Sequence, residues 1–131
     1  MSPKPTTNLL QHILLLDAAT CISAGAVMAY GSNFVAGLTG IPAPLLYWAG
    51  LILFPVAALM IYAGLQRTPP RPLVWLIVLG NIGWVIASLA VFAFIAPNAL
   101  GTLFIVAQAA VVAVLARLEH GAMQRSGLAA A

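Results

Sequence analysis

Charge is scarce in this sequence. Asp, Glu, Lys and Arg make up 5% of the 131 residues, whereas a soluble domain carries about 25%. Two acids and five bases cannot coat a folded soluble surface, and a hydrophobic content of 63% calls for the hydrocarbon of a bilayer as solvent. Cysteine is scarcer still. The lone Cys21 excludes an internal disulfide and a cysteine-built metal cage, and its place in an apolar run reads as a small, buried, inert thiol. Basic clusters with interleaved aromatic residues are missing, so nucleic-acid binding has no support. A phosphate-binding glycine loop and a nucleophile elbow are missing too. The two acids, Asp17 and Glu119, fall at different depths and offer no carboxylate pair at usable spacing. An enzyme is therefore not expected, and no cofactor is assigned.

What is there is four apolar runs. A helix needs about 20 residues to cross a core of ~30 Å, and residues 9–30, 44–65, 72–95 and 98–118 qualify. The expected fold is a single all-α domain over residues 1–131, an integral membrane bundle of four transmembrane helices. Lys4 before an apolar stretch and the small residues Ala24, Gly25 and Ala26 have the look of a signal peptide. Asp17 interrupts that stretch, however, and the run continues to Tyr30, so a retained first helix is expected. Asn8 and Gln11 form a capping pair for the first helix. Pro44 and Pro72 suit first-turn positions, and Asn98 suits the N-cap of the fourth helix. Residues 66–71 read as a stiff basic turn, and Ala96-Pro97 as a tight link that makes the last two helices an antiparallel hairpin. Residues 31–43 are expected along the membrane interface as a short helix.

Orientation follows from the bases. With the N-terminus inside, Lys4, Arg67, Arg71, Arg117 and Arg125 all face the cytoplasm. Tyr62 and Trp75 then mark the inner boundary, and Tyr30, Tyr47 and Trp48 the outer one. Composition and layout resemble those of small bacterial inner-membrane proteins with four spans, and both termini are expected in the cytoplasm. A weak repeat relates the first helix pair to the second, through residues 14–17 and 77–81 and the serines Ser23 and Ser88.

Within the spans polar residues are few. At a rise of ~1.5 Å per residue, Asp17 lies about 12 Å from the inner boundary, Asn81 about 14 Å and Gln108 about 15 Å. Three helices thus bring their most polar side chain to one layer. In the second helix Pro55 lies about 15 Å deep. There it is expected to kink the chain and free the Leu51 carbonyl for the amide of Asn81 or Gln108. Asp17 costs about 2.5–3.5 kcal/mol at a helix centre, so it should face inward, paired or protonated. Its partners are expected among Asn81, Gln108 and the Trp84 indole. Asp17, Cys21, Gly25 and Ala29 form one small-residue stripe. Gly80, Gly83, Ala87 and Ala90 form another, beside the face shared by Asn81, Trp84 and Ser88.

Each residue has a plain and a functional reading. Asp17 either fixes helix register or titrates in a proton or substrate path. Asn81 and Gln108 more often serve as packing glue. His12 and His120, both near the cytoplasmic boundary, have the chemistry of paired axial haem ligands, but neither sits in an attachment motif. The chain resembles small multidrug exporters in size, span number and the single acid of its first helix, Asp17. It departs from their aromatic and glycine pattern, and no membership follows. The leading expectation is a non-enzymatic accessory subunit or scaffold, associating through its small-residue faces with a larger membrane complex or with copies of itself. The second is a proton-coupled carrier or exporter using Asp17. The third is a protein that binds lipid, quinone or haem near Pro55 and Trp84.

Overall fold

The computed structural model describes residues 5–125, with side chains from residue 9 onward. Its elements in chain order are α1 (Pro5–Tyr30), α2 (Ser32–Thr39), α3 (Ala43–Leu65), α4 (Arg71–Ala90) continued by a 3-10 turn (Val91–Ala93), and α5 (Ala99–Arg125). No strand occurs among the described residues. Four helices are long and apolar enough to cross a membrane: Leu9–Tyr30, Ala43–Leu65, Arg71–Ala93 and Ala99–Arg125. The Asn8 side chain, half of the expected capping pair, lies outside the described residues, as does Lys4. Gln11 instead donates to the Gln66 carbonyl at 2.6 Å, tying α1 to the turn after α3.

Sequence-adjacent spans form two hairpins. α1 packs chiefly on α3 and α4 on α5, the α1–α5 contact joins the pairs, and α3 and α4 barely touch. The buried face of α1 recurs every three or four residues through Leu10, Leu14, Asp17, Cys21 and Met28, which is the period of one helix face. Large apolar side chains such as Leu16, Ile52 and Ile86 point outward, as lipid requires of a spanning helix.

Small residues set the α1–α3 crossing. A Cβ placed on Gly50 would stand 2.7 Å from the Ala29 nitrogen and 2.9 Å from the Gly25 carbonyl oxygen. Both are backbone atoms, so neither can rotate away. The stripe of Cys21, Gly25 and Ala29 is thus consumed inside the chain. The other stripe behaves differently: Gly80 and Gly83 face outward with nothing within 4 Å of an added Cβ.

The end of the bundle opposite the chain termini is stitched by Asn98. Its Oδ1 accepts from the Gly101 amide at 2.9 Å and caps α5, while its Nδ2 and backbone N–H donate to the Leu38 and Thr39 carbonyls of α2. Pro55 does not break α3, which continues through it, and it lies on the exposed face of the helix rather than toward the interior. α5 also runs seven residues past Leu118, since nothing between Glu119 and Arg125 breaks it and Glu119, Ala122 and Met123 are buried.

Gly50→Ala is expected to lower stability by about 1–3 kcal/mol through overpacking, whereas Gly80→Ala should be neutral or slightly stabilising. Unfolding of both variants in detergent checks this contrast.

Candidate functional site

The helix faces assemble two polar clusters, an inner one nearer the bundle end that holds the chain termini and an outer one nearer the opposite end. In the inner cluster Asp17 of α1 is 1% exposed, Asn81 of α4 is 5% and Glu119 of α5 is 0%. The Asn81 amide nitrogen donates to Asp17 Oδ2 at 2.7 Å and to Glu119 Oε1 at 2.9 Å. One side-chain NH2 thus uses both hydrogens on two carboxyl groups. Asp17 and Glu119 are thereby held on the same amide group. Cys21 Sγ lies 3.8 Å from Asp17 Oδ1 and 3.8 Å from Met60 Sδ of α3. Glu119 Oε2 is buried with no hydrogen-bond partner. Among the described residues, no Lys, Arg or His comes within ion-pair distance of either acid.

Glu119 reaches this cluster because side chains lean toward the N-terminus of their helix. The α5 N-terminus is at the far end of the bundle from the α4 N-terminus, so Glu119 leans toward Asn81 and Asn81 leans toward Glu119. Counting Cα depths alone placed the two acids apart. The signal that could have found the pair was the small, apolar run flanking Glu119, Leu115-Ala116 and Ala122-Met123, which continues the buried face of α5.

The outer cluster holds Trp84, Ser88 and Gln108. The Trp84 indole donates to Gln108 Oε1 at 2.7 Å, Gln108 Nε2 donates to Ser88 Oγ and to the Ile105 carbonyl, both at 2.9 Å, and Ser88 donates to the Trp84 carbonyl at 2.7 Å. Gln108 therefore meets Trp84 and Ser88 and does not bond to Asp17 or Asn81, so the single layer expected of Asp17, Asn81 and Gln108 is split between two clusters. An indole N–H can only donate, which fixes the Gln108 amide with its oxygen toward Trp84. The cluster lines a cavity of about 150 Å³ between the two hairpins, walled also by Met28, Leu46 and Ala49. Pro55 is exposed and does not line it. The Leu51 carbonyl receives neither amide, since Asn81 and Gln108 have all their hydrogens engaged elsewhere.

The histidines sit apart from both clusters. His12 is exposed on α1. His120 packs edge-on against Trp75, with ring centroids 5.2 Å apart, and its Nε2 lies 3.2 Å from Gln124 Nε2. Among the described residues no three His, Cys, Asp or Glu side chains gather as a metal site. Compared with known proteins, the chain matches no family model, no curated protein and no solved structure.

Asn81→Val removes the donor of two buried acids. It is expected to destabilise by about 1–3 kcal/mol for each group left unpaired, against about 0.6 kcal/mol for Ser88→Ala. Thermal unfolding in detergent separates the two.

Proposed function

We propose that the chain is a non-enzymatic, proton-linked carrier whose inner cluster binds and releases a proton as a solute crosses the bundle. The observation that carries this reading is the second buried acid. A register-fixing device needs one acid and one amide, both satisfied. Here two carboxyl groups share one amide, the only other donor among the described residues is the weak Cys21 thiol at Asp17, and one oxygen of Glu119 has no partner. Two adjacent carboxylates without a cation repel strongly in a low-dielectric interior. A proton held between them removes that repulsion and supplies the missing hydrogen bond. Intramembrane acids facing a bundle interior mark proton or substrate paths by default. The cavity beside Trp84, between hairpins that barely touch at α3 and α4, offers a solute a place inside the bundle about one turn along α4 from Asn81, separate from the acids themselves. Release on one side and uptake on the other would follow from rocking of one hairpin against the other.

In this reading the membrane is a bacterial inner membrane, and both termini face the cytoplasm, supported by the basic residues Arg67, Arg71, Arg117 and Arg125 at one end. A second reading, association with copies of the chain or with a larger membrane complex, is favoured by the outward Gly80 and Gly83, which leave room for a close helix approach.

Asp17→Asn and Glu119→Gln are each expected to preserve assembly and abolish solute-dependent collapse of a pH gradient in liposomes. Wild-type behaviour of both variants across apolar and cationic solutes would sink the carrier reading. For orientation, single cysteines at Gly37 and Arg67 in a Cys21→Ser background should be labelled by an impermeant maleimide from opposite sides, Gly37 from outside.

A further inference from the structure

We propose that the outer cavity is a binding site for a small, neutral, apolar molecule with one hydrogen-bond donor: a phenol or alcohol of about one ring. Size comes from the cavity itself. At about 150 Å³ this half-open cavity has the volume at which a closed apolar cavity takes up benzene. Polarity comes from accounting for every hydrogen at the cavity wall. The Trp84 N–H goes to Gln108 Oε1, and the Ser88 O–H to the Trp84 carbonyl. Both Gln108 amide hydrogens go to Ser88 Oγ and the Ile105 carbonyl. No side-chain donor at the wall is free. Gln108 Oε1 and Ser88 Oγ each accept one bond and keep a second lone pair.

The wall therefore offers acceptors only. A ketone, an ether or a carboxylate brings more acceptors and leaves them unpaired on entry, which is unfavourable in an apolar site. A hydroxyl brings the donor that the wall lacks. Charge is disfavoured as well, because none of the residues around the cavity is ionisable. The site is built by the chain's own packing, so occupancy does not depend on proton coupling at Asp17 and Glu119. If coupling is real, the same chemistry narrows the solute from apolar or cationic to neutral and hydroxyl-bearing.

The test uses the full chain in nanodiscs, with 4-fluorophenol and its methyl ether, 4-fluoroanisole, as fluorine-NMR probes corrected for partition into empty nanodiscs. Saturable 4-fluorophenol binding, about tenfold tighter than 4-fluoroanisole, is expected from one added hydrogen bond. Gln108→Met deletes an acceptor and leaves the Trp84 N–H free, so the preference should shrink or invert toward the ether. Ser88→Ala, a milder change that frees one Gln108 hydrogen, should move it in the same direction. Equal affinity for the two probes, no saturable binding of either, or an unchanged preference in both variants would overturn the proposal. Asp17→Asn should leave binding intact even if it abolishes transport, so failure of the carrier reading and failure of this site are told apart.

Discussion

A single amide group holds the bundle's interior in register. Asn81 belongs to the second hairpin and Asp17 to the first, and the bond between them spans the interface where the hairpins meet. Glu119 adds a third helix to the same nitrogen. In lipid the apolar faces of helices have little preference for one another over acyl chains, so packing detail and polar contacts decide which faces meet. Remove the amide and no other described side-chain bond links α1 to α4 at this depth. The glycine crossing of α1 with α3 serves the arrangement by fixing one wall, against which Asp17 and Cys21 stand at a defined height.

The two clusters divide the work of the interior. The inner one is compact, fully enclosed and short of one hydrogen-bond partner. The outer one is fully satisfied in its donors and sits against open volume. Trp84 and Ser88 occupy the turns of α4 immediately beyond Asn81, so a change in the tilt of that helix moves both clusters together. In the proposed carrier reading, that shared helix would link the acid pair to the cavity. It requires no long chain of contacts between distant sites.

Much of this was legible before any coordinates. The spans, the short α2, the Asn98 cap and the inward face of Asp17 follow from hydropathy, punctuation and the expense of a carboxyl group in hydrocarbon. Asn81 as partner for Asp17 also follows, since few donors exist at that depth. Glu119 was missed because charge at a helix end normally means solvent, and because Cα height ignores the lean of side chains. Pro55 was read as an interior break because periodicity could not say which face it takes on a helix that is apolar all round. The separation of Gln108 from the acids turns on helix rotation, which a sequence with so few polar residues does not encode strongly.

The sharing of one amide between distant acids also has a consequence for how the chain is made. Asn81 follows Asp17 by 64 residues, and Glu119 follows Asn81 by a further 38. At synthesis rates of roughly 5–20 residues per second, α1 enters the membrane several seconds before its last partner leaves the ribosome. During that interval Asp17 has neither amide nor second acid. The first hairpin must therefore be a viable intermediate by itself, with the carboxyl group sheltered by the tight α1–α3 crossing or left at the water-filled insertion site. The polar centre thus stays unfinished until α5 has been made, and Asp17 waits longest for its partners.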